Sequence, residues 1–117
     1  MQIVSKGDLE WATAANPSLA LKNILTNYHV SAGTVSCGIS RWAYGPGGIP
    51  HTHMATNQDE IYIVLQGRGR MTICGQIYEV GPGDMVHAKC GEEHGMLEGL
   101  TPDGIEMFYI LLPAEQQ

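Results

Sequence analysis

The chain has 117 residues, enough for one domain built on one modest core. With 44% hydrophobic and 15% charged residues it reads as globular rather than disordered. A net charge of -6, with only six Lys and Arg, leaves no basic face to neutralise a run of phosphates, so nucleic acid is not an expected partner.

Fifteen glycines and six prolines punctuate short apolar runs, a texture that favours an all-β architecture with tight turns. Cys37, Cys74 and Cys90 are odd in number and show no CxxC spacing. They are expected to be reduced, small, buried hydrophobes in a cytoplasmic setting. The opening "MQIVSKGDLEW" has no basic segment leading into an apolar one, so no signal peptide is expected. No apolar run approaches membrane-spanning length, and no membrane partner is expected.

In chain order, "DLEWATAA" (8–15) suits a short helix capped by Asp8 and ended by Asn16–Pro17. "LALKNILTNYHV" fits either an amphipathic helical turn or an edge strand. "TVSCGISRWAY" (34–44) reads as a strand running into the irregular "GPGGIP". "EIYIVLQG" is the clearest strand, stopped by Gly67. "RMTICGQIYEV" predicts a hairpin turning at Cys74–Gly75. "GPGD" (81–84) is a turn, "MVHA" a short strand and "EEHGMLE" a less regular stretch. "TPDG" (101–104) is a further turn before the terminal strand "IEMFYILL". The total is roughly seven to nine short strands, the pattern of a sandwich or barrel.

Chemistry concentrates in "PHTHMATNQDE" (50–60). On a strand, His51 and His53 would present two imidazoles on one face. Imidazole suits first-row transition metals, and a nearby carboxylate adds a hard, charged ligand. His94 offers a third imidazole. From residue types alone two readings stand: a metal-binding pair, or histidines on an exposed strand. His29 and His87 are expected to be structural or solvent-facing.

The stretch from Gly45 to Gly67 resembles the first motif of the cupin superfamily: glycine, five residues, HxH, a gap, glutamate, six residues, glycine. Gly45, His51, His53, Glu60 and Gly67 meet it in order. The gap between His53 and Glu60 is six residues, longer than the family's usual three or four. Counting back from Gly67 selects Glu60 as the ligand, because the strand has a fixed register while the hairpin before it can absorb extra residues. Gly83, Gly91 and His94 match the second cupin motif. Lys89 replaces its usual proline and Glu98 its usual asparagine. The resemblance spans 45–98, about half the chain.

It implies a single cupin domain over 1–117, folded as a double-stranded β-helix, the jelly-roll barrel. It also implies that His51, His53, Glu60 and His94 converge on one divalent transition metal, with Fe, Mn, Ni or Zn as occupants. Three neutral imidazoles and one carboxylate leave a +1 centre with one or two open positions.

Strand parity extends the pocket. If Glu60 points inward, so do Tyr62 and Val64, while Ile61, Ile63 and Leu65 face the other way. Both sets are apolar, so the strand is expected to be covered on both faces, by a second sheet or a second subunit, and a homodimer is expected. Tyr62 needs a partner for its hydroxyl, either a substrate or the ligand carboxylate. If His94 points inward, Met96 and Glu98 follow, which makes Glu98 a candidate general base or a solvated acid at the barrel mouth. Tyr62 and Glu98 are thus the candidate catalytic residues. Arg41 is expected in a surface ion pair, and the methionines in the core.

Two functional readings follow. The first is a metalloenzyme acting on a small organic substrate by Lewis-acid chemistry of isomerase, cyclase or lyase type, with an iron-dependent dioxygenase as its variant. The second is a non-catalytic cupin that holds a small ligand.

Overall fold

The computed structural model describes residues 3–54 and 56–114. After a 3-10 turn at Lys6–Asp8, ten strands follow: β1 (Ala12–Thr13), β2 (Leu19–Val30), β3 (Gly33–Trp42), β4 (Gly45–Pro46), β5 (Gln58–Gln66), β6 (Gly69–Ile73), β7 (Gln76–Val80), β8 (Met85–Ala88), β9 (His94–Gly99) and β10 (Ile105–Pro113). They form a six-stranded sheet in the order β1-β2-β3-β10-β5-β8 and a four-stranded sheet in the order β4-β9-β6-β7. Every pairing is antiparallel. The core takes Tyr62, Val64, Ile105 and Met107 from the first sheet and Met71, Val80 and Met96 from the second. Two antiparallel sheets sharing one core make the jelly roll.

Strand β5 carries the clearest code. Gln58, Glu60, Tyr62 and Val64 are buried, whereas Ile63 and Leu65 are exposed. The alternation is the expected one, but within the monomer the outer face is only partly covered. The Cys74–Gly75 hairpin forms as the sequence predicts. Both residues take positive φ, 49° and 82°, and register pairs Ile73 with Gln76. Such a two-residue turn matches the twist of its strands. The turn at Thr101–Gly104 closes with a Gly104 N–H bond to the Thr101 carbonyl at 2.8 Å.

Four local expectations need correction, the first being the burial of the cysteines: Cys74 is exposed, and Cys37 and Cys90 are only partly buried. Residues 9–15 form no helix, and Asp8, the expected cap, ends the 3-10 turn instead. Ala12 and Thr13 pair instead with Leu21 and Ala20, around a turn at Asn16–Pro17 closed by Leu19 N–H to the Asn16 carbonyl at 3.0 Å. Trp11 then lies beneath the Lys22 and Arg41 side chains, at 4.8 and 4.2 Å from its ring centroid, so tertiary packing overrides local helix propensity. "EEHGMLE" is more regular than expected: it holds β9, paired with both β4 and β6. Of the methionines, Met71, Met96 and Met107 fill the core, but Met54 and Met85 are 66% and 61% exposed. The ambiguous "LALKNILTNYHV" is a strand with two register shifts.

Candidate metal centre

Four side chains meet where the barrel interior opens to solvent: Glu60 and His94 are buried, His53 is half-buried and His51 is exposed. His51 and His94 face each other in an isolated antiparallel bridge between the Gly-rich segment and β9. Glu60 projects from β5 and His53 from the approach to it. One ligand-type atom from each of His51, His53, Glu60 and His94 lies within 4.8 Å of all the others. The His51 and His53 rings are 5.0 Å apart and nearly perpendicular.

The long gap between His53 and Glu60 is taken up locally. Gln58 N–H closes onto the His53 carbonyl at 3.2 Å, Asn57 N–H onto the Met54 carbonyl at 3.1 Å, and Asn57 adopts φ 53°. These two bonds take up the gap and leave the register of β5 intact. Asp59, one residue away, points to the opposite side. Its carboxylate accepts from His87 Nε2 at 2.9 Å and from Cys90 N–H at 2.8 Å. Gln58 Nε2 is used by the Thr34 carbonyl at 2.9 Å.

Glu60 Oε1 is the focus of the cluster. His53 Nε2 lies at 2.9 Å, His94 Nε2 at 3.0 Å, and the Tyr62 hydroxyl donates to the same oxygen. Burial pushes the Glu60 carboxyl up, but the bonds from His53, His94 and Tyr62 outweigh it and hold it at about 2. Burial, and then the same carboxylate, pushes the Tyr62 phenol well above its ordinary value, so it keeps its proton. Desolvation and the two neighbouring imidazoles push His51 down, which leaves its ring neutral. Burial opposes protonation of His94, yet the bonds to Glu60 and the Glu92 carbonyl raise its pKa.

This donor set fits a divalent transition ion. Two imidazole nitrogens and a phenol proton converge on one carboxylate oxygen, a local demand for positive charge. His94 Nδ1 sits 2.9 Å from the Glu92 carbonyl. With its proton on Nδ1, the neutral ring turns the Nε2 lone pair toward the cluster, the tautomer a metal ligand needs. The turn at Lys89–Glu92 presents that carbonyl. It closes without the usual proline, through Glu92 N–H to the Lys89 carbonyl at 2.9 Å, with Gly91 at φ 89°.

Glu98 requires a correction: it is not brought to the cluster. A bulge at Leu97 shifts the pairing of β9, so Met96 lies opposite Met71 but Glu98 opposite Arg70. The extra residue turns Glu98 to the outer face, where it pairs with Arg70 at 3.0 Å. It stands four residues along β9 from His94, roughly 13 Å by strand rise. Both partners are well exposed, so the pair contributes at most about 1 kcal/mol. Arg41 is half-exposed, 3.9 Å from Glu106, whose carboxylate is buried rather than at the surface.

A cavity of about 270 Å³ adjoins the cluster. His51, Glu60 and Tyr62 line it, together with Trp42, Ser40 and Tyr109. The last three escaped sequence reasoning because the motif match begins after β3 and ends before β10. Period-two alternation in "SRW" and "YIL" would have found them once those strands were placed in the sheet.

A family model described as a cupin domain matches residues 40–111. No curated protein matches the chain. Several solved structures share the fold. KdgF from Halomonas sp. is 20% identical with a TM-score of 0.78, covering 98% of this chain and 96% of that one. A predicted oxalate decarboxylase from Thermotoga maritima is 19% identical with a TM-score of 0.79, over 96% and 99% of the two chains. The polyketide cyclase RemF from Streptomyces resistomycificus is 22% identical with a TM-score of 0.75, over 98% and 80%. Motif, topology and family match agree: the chain belongs to the cupin domain family.

Proposed function

We propose that this cupin is a divalent-metal-dependent enzyme acting on a small organic substrate. The observation that carries the proposal is the convergence of three imidazoles and a buried carboxylate within 4.8 Å, on the wall of a cavity. His51, His53, Glu60 and His94 would hold the ion. A bound ion would supply Lewis-acid polarisation of a substrate carbonyl or carboxylate oxygen.

The chain's own groups have separable roles. His94 is oriented by the Glu92 carbonyl. Tyr62 keeps its proton and fixes the Glu60 carboxylate, which makes it a positioning residue and a hydrogen-bond donor rather than a base. Leu19, Leu21, Trp42 and Leu111 give the cavity largely apolar walls, and a substrate seated against them would displace water and strengthen electrostatic interactions at the ion. The polyketide cyclase and the predicted oxalate decarboxylase among the similar folds are consistent with this class of chemistry, by analogy of fold alone.

The test is elemental analysis of purified protein, followed by a substrate screen with the bound ion exchanged for Zn²⁺. Turnover that survives the exchange supports the proposal. Turnover that requires iron and dioxygen overturns the Lewis-acid assignment, and ligand binding without turnover overturns the enzyme.

A further inference from the structure

The cavity beside the cluster has a composition that selects its ligand. Leu19 and Leu21 from β2, Trp42 from β3 and Leu111 from β10 make its apolar walls. Among the described residues lining it, none is Lys or Arg. Register explains this. Lys22 and Arg41 stand next to Leu21 and Trp42 in sequence, so alternation sends them to the opposite face of the sheet. There Lys22 bonds the Lys6 carbonyl at 2.9 Å and Arg41 lies over Trp11. The nearest cations along both strands are thus directed away from the cavity.

Charge then limits what can enter. With a divalent ion held by neutral imidazoles and Glu60, the centre carries one net positive charge, enough for one ionised ligand oxygen. A second ionised group would be desolvated against leucines with no partner. Size sets a further limit. A dry cavity of roughly 150 Å³ accepts benzene, and this one, at about 270 Å³, has room for a substituted ring. One polar atom on the wall lacks a partner: Ser40 is 4% exposed and its Oγ makes no hydrogen bond. Tyr109, by contrast, donates its hydroxyl to Asn23 at 3.0 Å.

We infer that the site takes an apolar, ring-bearing molecule with a single oxygen-donor end, carrying at most one negative charge, and that Ser40 bonds a ring hydroxyl on it. The inference rests on the metal-dependent reading of the same site. It disfavours small dianions and polyhydroxylated acids, whose charge or hydroxyls would face Leu19, Leu21 and Leu111.

The experiment compares four probes by calorimetry on Zn²⁺-loaded protein: ortho-hydroxyacetophenone, its deoxy parent acetophenone, oxalate and gluconate. Trp42 fluorescence is recorded in parallel in a Trp11→Phe background, on loaded and metal-free protein. The hydroxy-ketone is expected to bind about tenfold or more tighter than either acid and to perturb Trp42. Ser40→Ala is expected to weaken the hydroxy-ketone more than acetophenone. An equal effect on the two removes Ser40 from the assignment. Tighter binding of oxalate or gluconate, at full zinc occupancy, overturns the substrate class and leaves the metal site standing. Failure to take up zinc, with ketone binding still reported by Trp42, overturns the metal reading and leaves the cavity's preference standing. Ketones that bind neither form overturn the inference.

Discussion

His51 and His94 hold each other by backbone. His51 N–H donates to the His94 carbonyl at 2.8 Å, His94 N–H returns a bond to the His51 carbonyl at 2.9 Å, and their rings stand 4.5 Å apart. The pairing does not use the imidazoles, so removing a ring leaves the bridge intact. His51→Ala and His53→Ala are therefore expected to keep the fold and lose the ion. Wild-type protein should carry about one divalent ion per chain by elemental analysis. Full occupancy in both variants would remove these residues from the site.

Glu60 and Asp59 are adjacent acids with opposite roles. Glu60 is buried in the cluster, whereas Asp59 bonds His87 and Cys90 on the other side of β5. Glu60→Gln is expected to lower metal affinity by more than about tenfold, because a neutral amide replaces the only anionic ligand. Asp59→Asn should leave metal binding unchanged and cost on the order of 1 kcal/mol of stability, from weakened hydrogen bonds. Metal titration and denaturant melts separate the two, and the reverse pattern would move the carboxylate ligand into the loop.

The same contrast shows what was legible in the sequence. β5 could be read because its inner face, Glu60, Tyr62 and Val64, alternates strictly within one element. The position of Glu60 followed from its register to Gly67, whatever the preceding loop did. Glu98 could not be placed, because its face depends on a bulge at Leu97, and a bulge is settled by pairing with β6 rather than by local composition. Residues 8–15 misled for a related reason. Their helix-like pattern is local, but the partner that decides their conformation is β2, along with the cations stacked on Trp11. Trp42 and Ser40 reach the cavity only through the β3–β10 pairing, a long-range contact that no local signal encodes.

Tyr62→Phe removes one donor from Glu60 Oε1 and changes little else. A buried hydrogen bond to a charged acceptor is worth about 1.5–3 kcal/mol, so metal-free protein should lose stability in that range. Partners that orient a ligand tune affinity by about 10–100-fold, and metal binding is expected to weaken within that window. If Tyr62 only positions Glu60, excess metal should restore most of the variant's activity. Activity that stays abolished at full metal occupancy would mean that the phenol acts directly on the substrate.

Acidity should weaken the metal-loaded form more than the metal-free one. Glu60 is held at about 2, below its ordinary 4.5. Its stabilising contribution is present above the unfolded value and is lost as pH falls through the folded one, so metal-free protein should weaken between pH about 4.5 and about 2. His94 is raised above 6.5, so its contribution is complete below that value and fades as pH rises through its folded pKa. His51, lowered from 6.5, opposes this: its protonation on the acid side destabilises the fold. Metal binding requires unprotonated rings and releases protons, so the stability it adds grows with pH. The gap in Tm between loaded and metal-free protein is expected to widen from about pH 5 to about pH 8. A gap that is flat across that range would argue against ligation by imidazole.

The outer face of the six-stranded sheet leads to the last prediction, a homodimer. Register aligns Ile39, Phe108, Ile63 and Met85 in one row across β3, β10, β5 and β8. Ile63, Leu65 and Met85 on this face are 39%, 44% and 61% exposed in the monomer. Single exposed apolar residues need no explanation, but Ile63, Leu65 and Met85 cluster on β5 and β8 beside the partly exposed Phe108, while Ile39 at the far end of the row is already buried at 5%. Such a cluster is expected to mark an interaction surface. A second copy meeting it about a twofold axis would cover the same row on both subunits. Light scattering at micromolar concentration should give twice the chain mass of 12.7 kDa. Ile63→Lys places an unpaired charge in the middle of the row and is expected to halve that mass. Its side chain points away from Glu60 and Tyr62, so the variant should keep its metal. A monomeric wild type would leave the row unexplained, whereas an Ile63→Lys monomer that retains its ion would assign the face to assembly and separate it from the chemistry inside the barrel.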